Sequence, residues 1–503
     1  MKRLDRRQFL VAGTIAALGV GLAACTPEGD WVVIRSDAIE ALRKRLKGTV
    51  LIAGDRGFTD AWMPTNGRYR DTVPLLVARV ADERDVVECV RWAREHGIQA
   101  VPRGGGHSYA GLSTTTGLIV DLSQLNEVRV DTAAARITTG GAATNRDIFA
   151  ACENGPLILP GGTCLSVAIG GLTLGGGIGY HTRWAGLTAD HLTATRMVTA
   201  DGEIVDADEQ HNGDLFWASR GGAGGNFGIH TRFEFDLVPV PAADIVYYRF
   251  QWRGADAALA MLSTVDALEQ TAPPEFVASG MAQATTPRDG EGPRDAVDVT
   301  LRGQFLGSLE DFHTLVAPVL EAATPVSRQI VSQPFWQTAK IFTTEESANH
   351  SWGDLSRYTD KALPSSAFEK VVDLVVDAPS RSETDNASVW MLGWVGGDVV
   401  DRFGRTDTAY VHRGVRNLLR PTPVWSNMSP SSVSADLLDW TDEVIAVLEP
   451  HTPRESYQNF PNRRIKDWQQ QYYAENFERL VGVKKAWDPD NVFRNAQSIP
   501  VQA

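Results

Sequence analysis

Cysteine is scarce in this chain. There are four in 503 residues, none at the short paired spacing that metal sites use, so no metal centre is expected. Positive charge is also short: Lys and Arg total 48 against 62 Asp and Glu, a formal charge of −14. No long basic run follows the first residues, which argues against a nucleic-acid partner. No apolar run is long enough to predict a membrane-spanning helix. Two nucleotide-binding fingerprints are missing as well. There is no G-x-G-x-x-G between a strand and a helix, and no G-K-[ST]. Gly175-Gly176-Gly177-Ile178-Gly179 has the wrong pattern, and Gly221 to Gly225 is off register. What remains is a long chain, 43% apolar, with no internal repeat. Such a chain holds two domains, or one large interrupted one.

The N-terminus carries a charged stretch, then a Gly/Ala-rich apolar run to Ala24. That order reads as an export signal over residues 1–30. Arg6 and Arg7, followed by Phe9 and Leu10, resemble a twin-arginine signal, which would make the twin-arginine export machinery a partner. Leu22-Ala23-Ala24-Cys25 resembles a bacterial lipobox, which would put a lipid on Cys25 and give the protein its sole membrane contact. A simple cleaved signal or a chance cysteine is the alternative.

Periodicity predicts a helix over Asp82–His96, capped by Asp82 and stopped by Gly97, with Val86, Cys89, Val90 and Ala93 on its buried face. Cys152 closes a second helix that starts near Thr144, and a Cys89–Cys152 disulfide is compatible with export. Strands are expected at Pro74–Val80, Ile98–Val101, Leu118–Leu122, Val128–Asp131 and Ala135–Thr139. A hairpin is expected over Leu192–Asp206, turning at Asp201-Gly202. Ile229, Thr231, Phe233, Phe235 and Leu237 alternate as a half-buried strand does. Pro239 and Pro241 mark a boundary. Beyond it, strand-like runs (Val297–Phe305, Ser388–Val395) alternate with helical ones (Asp256–Gln270, Leu309–Ala322, Ala367–Asp377). That pattern suits an α+β layer with a sheet backed by helices. Trp336, Trp352, Trp390, Trp394 and Trp425 either line a pocket there or pack its core. Lys466–Leu480 reads as one helix.

Two stretches stand out for glycine. PRGGGHSYAG at 102–111 places His107 after three glycines, and the run from Pro160 to Asp190 holds nine glycines and Cys164. Glycine this dense costs conformational entropy. Its cause is either backbone amides that must approach a phosphate-bearing ligand, or tight turns alone. Taken singly, His107 is a hydrogen-bonded loop histidine and Cys164 a buried thiol.

Together with DLFWASRGGAGGNFGI (214–229), YQNFPN (457–462) and the tail DPDNVFRNAQSIP, these stretches resemble the berberine bridge enzyme-like family of FAD-linked oxidases, of the vanillyl-alcohol-oxidase-type fold. The likeness covers 31–240 and 445–503, and is loose between. It implies an α+β fold with a two-part FAD-binding domain (31–240 and 446–503) around a substrate domain (241–445) built on an antiparallel sheet. It also implies FAD bonded twice, through His107 to the 8α-methyl and through Cys164 to C6. Two bonds would hold the ring rigidly and raise its potential. By the same resemblance the pyrophosphate lies along Arg103, Gly104, Gly105, Gly106 and His107 and along Gly161, Gly162 and Thr163, and Ser108 belongs to the cofactor site. Gly170, Gly171, Gly175 and Gly176 come close to the cofactor. Ile229 packs near the adenine, and Asn459, Asn495 and Gln497 close over the ring.

Tyr457 resembles the family tyrosine that acts as base in sugar-oxidising members. A free phenol has a pKa of ~10, so a nearby cation such as Arg413 or Arg463 would have to lower it. Where the plant alkaloid members carry a Glu, this chain has Thr422, and the second tyrosine of the family motif is Phe460. Val167 resembles the family position that governs oxygen access, where a small β-branched residue goes with oxidases. The resemblance thus implies a small-molecule donor, foremost a carbohydrate hydroxyl, with oxygen as acceptor and peroxide as product. The rivals are a tailoring oxidase acting on an aromatic or glycosylated natural product, a dehydrogenase with another acceptor, and a sugar-binding protein without turnover.

Overall fold

Asp82 begins its helix as the sequence predicts. Its carboxylate accepts from the amides of Arg84 and Asp85, the helix runs Glu83–Glu95, and Gly97 leaves it at φ +65°. Thr144 and Asp147 form a reciprocal cap on the helix Asn145–Cys152, which satisfies two amides at its first turn. The computed structural model describes residues 21–25, 31–345 and 350–502. Most of the stretch read as an export signal, Arg6 and Arg7 included, lies outside the described residues. Among those described, no helix is long and apolar enough to cross a membrane.

The architecture is α+β. A four-stranded sheet runs in the order Thr49–Ile52, Leu76–Arg79, Leu118–Asp121, Ala100–Arg103, with its last three strands parallel. The helix Glu83–Glu95 packs against it through Val86, Cys89, Val90 and Ala93. The loop with His107 leaves the carboxyl end of Ala100–Arg103, where open α/β sheets bind ligands. A five-stranded antiparallel sheet follows, with the hairpin Leu192–Val198 and Ile204–Asp208 at one edge and Gly202 at φ +76° in the turn. Cys89 and Cys152 are buried in separate hydrophobic clusters and carry no disulfide.

An eight-stranded antiparallel sheet spans Ile245–Ser426. Alternation gives it two faces. Tyr248, Phe250, Val299, Leu301, Val389 and Met391 face the helices Ala255–Glu269, Leu309–Ala322 and Ser365–Val376 in one core. The opposite face presents Arg302, Trp390, Leu392, Arg420 and Thr422 to the cavity described below.

The tail differs from the sequence reading. The single helix expected over Lys466–Leu480 is two, Trp468–Tyr473 and Phe477–Trp487, separated at Ala474, whose φ is +41°. Nearby, the Asn476 amide donates to the carbonyls of Arg405, Thr408 and Ala409 at 2.8, 3.2 and 3.4 Å. Those bonds dock the segment after the break onto residues 405–409.

Candidate active site

A cavity of about 490 Å³ runs between the glycine-rich loops, the free face of the eight-stranded sheet and the tail. Its size is that of a ligand pocket. The loops Gly104–Ser108 and Gly162–Ala168 form one wall and are packed edge to edge. A Cβ on Gly105 would lie 2.5 Å from the Ser166 carbonyl oxygen, so only glycine lets them meet. The His107 Nε2 lies 2.8 Å from the Ser166 hydroxyl, and Asn145 donates to the Cys164 carbonyl at 2.9 Å. His107 and Cys164 therefore line the same cavity.

That wall suits a pyrophosphate. The amides of Gly104, Gly105, Gly106 and Ser108, and of Gly162 and Thr163, find no acceptor among the described residues. Backbone amides gathered in this way cradle phosphate without lysine. Beside them, a Cβ on Gly171 would meet nothing within 4 Å, so the cavity floor is open there. The residues present fit a dinucleotide cofactor.

Of the residues read from the sequence, Gly104, Gly105, Gly106, His107, Ser108, Gly162, Thr163, Cys164, Val167, Gly170, Gly171, Tyr457, Asn459 and Asn495 line the cavity. Six others do not. The Arg103 guanidinium turns back into the protein, donating to the carbonyls of Ala61, Trp62 and Ser113, and burial pulls its pKa down to about 10. Gly161 lies behind the wall, against Asn145 and Leu172. Gly175 and Gly176 instead receive the tail and its neighbours: their Cβ positions are filled by the Asn459 carboxamide and the Tyr410 ring. Ile229 is fully buried in the core of the four-stranded sheet, and strand alternation sends the next residue, His230, into the cavity instead. Gln497 is buried and donates to the Asn462 carbonyl at 2.9 Å. Of the tryptophans, Trp352, Trp390 and Trp394 line the cavity. Trp425 belongs to the helix-side core, and Trp336 lies behind the wall, donating to the Gly155 carbonyl.

Tyr457 is 1% exposed. Its hydroxyl accepts from the Gly177 amide at 3.0 Å and from the Asn459 amide at 3.1 Å. Neither expected cation reaches it. Arg413 is held by both oxygens of Asp190, at 2.9 and 2.7 Å, and Arg463 donates to the Ala110 carbonyl at 2.8 Å. Burial therefore pushes the phenol up to about 12, against the pull of the hydrogen bonds it accepts from Asn459 and the neighbouring backbone amides.

One charged pair facing the cavity, Arg420 with Asp354, had no signal in the sequence. Arg420 stands opposite Trp390 on the neighbouring strand, its guanidinium 5.6 Å from that ring and 4.9 Å from Phe460. Asp354 lies 3.3 Å from Arg420 and accepts from Thr422 at 3.2 Å. Burial lifts Asp354 to about 6, although Arg420 opposes it. Burial also works against the Arg420 charge, but Asp354, Tyr109 and Cys164 together hold it above the ordinary guanidinium value. Asp354 and Arg420 are 66 residues apart. Pairing of His350–Trp352 with Val424–Ser426 brings them together. Among the described residues, no cluster suited to a metal ion occurs.

Comparison with known proteins gives this geometry its context. Residues 74–208 match the family model described as FAD binding domain, and residues 456–500 match the one described as Berberine and berberine like. The FAD-linked oxidoreductase YgaK of Bacillus subtilis is 30% identical over 466 residues, covering 91% of this chain and 98% of that protein. The chain belongs to the berberine bridge enzyme-like family of FAD-linked oxidoreductases. Glucooligosaccharide oxidase of Sarocladium strictum is 27% identical over 455 residues, covering 85% of this chain and 88% of the relative. A solved chitooligosaccharide oxidase shares the fold with a TM-score of 0.80 at 23% identity, over 93% of this chain and 100% of its own. As a member of this family the chain is an FAD enzyme. In it, the cavity wall comes from the segment matching the FAD binding domain, and Tyr457 and Asn459 come from the segment matching the berberine-like one.

Proposed function

We propose that this enzyme oxidises an alcohol carbon of a carbohydrate, with its FAD bonded to both His107 and Cys164 and oxygen as the final acceptor. The observation that carries the reading is a single cavity lined by His107 and Cys164 on one wall and by Trp352, Trp390, Trp394 and Tyr457 elsewhere. When bound, the flavin supplies the hydride acceptor and passes its electrons to oxygen, giving hydrogen peroxide. Tyr457 takes the proton from the substrate hydroxyl. Gly177 and Asn459 hold the phenol oxygen in place and support its anion. The tryptophans offer apolar faces on which pyranose rings stack, and three of them suit an oligosaccharide better than a monosaccharide. The names of two relatives, glucooligosaccharide oxidase and chitooligosaccharide oxidase, favour the same donor class. Val167, small and β-branched, lines the cavity and leaves oxygen a path.

On this reading residues 241–445 form the substrate domain, inserted between the two parts of the FAD-binding domain (31–240 and 446–503). Export through the twin-arginine signal, with or without a lipid on Cys25, delivers the loaded enzyme beyond the cytoplasm.

Anaerobic mixing with a panel of oligosaccharides and aromatic alcohols tests the donor. Oligosaccharides are expected to bleach the flavin absorbance, and readmitted air to restore it with one peroxide per turnover. Bleaching by aromatic alcohols alone would give the enzyme to natural-product chemistry. Bleaching without peroxide would make it a dehydrogenase.

A further inference from the structure

The eight-stranded sheet carries a second charged feature, away from the Asp354–Arg420 pair. Arg249 and Arg302 are direct partners on adjacent antiparallel strands, so both side chains leave the same face. Along that rung Arg302 pairs with Ser279, Ser279 with Leu392, and Leu392 with Leu418. Arg302 and Leu392 line the cavity. Arg249 stands one strand further out and is exposed. Among the described residues neither arginine has a carboxylate at ion-pair distance. Arg302 donates through Nε to the Tyr180 hydroxyl at 2.9 Å, and its guanidinium lies 5.7 Å from the centre of that ring. The Nε bond and the ring fix the guanidinium without neutralising it.

Like charges directly opposite on neighbouring strands destabilise a sheet. Here they stand together in a chain of net charge −14, where acidic partners are plentiful. The cavity repeats the imbalance. Among the described residues Asp354 is the one carboxylate lining it, and Arg420 and Thr422 engage that group, while Arg302, Arg420 and Arg494 all line it. A cleft lined by one sign of charge attracts ligands of the other.

Resting on the carbohydrate reading above, we propose that Arg302, with Arg249 outside it, forms a subsite for a carboxylate on the substrate, so that the preferred donor is an acidic, uronate-bearing oligosaccharide. Arg302 holds the carboxylate through its remaining guanidinium N–H groups. Arg249 raises the local concentration of such substrates at the entrance, an effect that salt screens.

The test compares cellotriose with its analogue carrying carboxylates at C6, by steady-state rates and by calorimetric binding to the holoenzyme. The acidic trimer is expected to have the higher kcat/KM, and its advantage to shrink as salt is raised. Arg302→Met is expected to cut the acidic-to-neutral ratio of kcat/KM by about 10- to 100-fold, the size of one charge-assisted hydrogen bond. Arg249→Gln, which breaks no hydrogen bond, is expected to lower the ratio by a few-fold (roughly one screened surface charge). A ratio at or below one in the parent enzyme, or one unmoved in both variants, overturns the subsite even if neutral sugars are oxidised. Binding of the acidic trimer that depends on Arg302, without oxidation of either sugar, upholds the subsite and removes the carbohydrate-oxidase reading instead.

Discussion

Tyr457→Phe is expected to lower turnover at least ~100-fold, the lower end of what a general base contributes. The substitution keeps the ring, and with it the edge contacts to Phe460 and Tyr410 at 5.0 and 6.4 Å. It removes only the oxygen that accepts from Gly177 and Asn459. The buried Gly177 amide is then left without an acceptor, while Asn459 keeps its bond to the Leu172 carbonyl, so a stability loss of about 1–3 kcal/mol accompanies the loss of rate. The pH profile gives an independent readout. A base acts in its deprotonated form, and burial has raised this phenol to about 12. Below that value the competent fraction grows roughly tenfold per pH unit. The kcat/KM of the parent enzyme is therefore expected to climb from neutral into alkaline pH, and the slope to vanish in Tyr457→Phe. Full activity in the variant would move the base elsewhere in the cavity, with Asp354 the first candidate.

Lys484→Met is expected to be the most destabilising single change in the tail. Lys484 and Asp488 are fully buried and 2.6 Å apart. The ammonium also donates to the carbonyls of Asn226 and Phe493, while Asp488 accepts from the amides of Val492 and Phe493. The pair thus ties the helix Phe477–Trp487 to the glycine-rich loop before Ile229 and to the segment carrying Asn495. Methionine matches the volume but leaves a carboxylate buried without its counter-charge, which costs about 3–5 kcal/mol. Chemical denaturation of the holoenzyme should show a lower midpoint. The same variant should hold its cofactor less firmly in any non-covalent fraction, because Asn495 lines the cavity.

What the sequence made legible was local. Asp82, Thr144 and the Asp201-Gly202 turn fix their elements with neighbours a few residues away, and the structure places each where the pattern does. The two glycine loops were legible for a similar reason, since glycine at that density is tolerated only where the backbone turns sharply or something must approach it closely. Long-range pairing was not legible. Arg413 and Arg463 are the cations expected near Tyr457, yet Asp190 and Ala110, each more than 200 residues from its arginine in the chain, claim them. Asp354, Thr422 and Arg420 meet only because two strands pair in one register. The helix break at Ala474 coincides with hydrogen bonds that Asn476 makes to residues 405–409. Ile229 and His230 show how fine the limit is. The strand was read correctly, but which of two adjacent residues faces the cavity depends on the sheet it joins.

The measurement that tests the central claim most directly is mass spectrometry of the protein after acid precipitation and SDS denaturation, followed by proteolysis. The account predicts that the yellow colour stays with the polypeptide. It also predicts that the peptides containing His107 and Cys164 are recovered joined through one flavin, and that Cys164→Ala leaves a single bond to His107. Colour released into the supernatant, with both peptides at their unmodified masses, would contradict it.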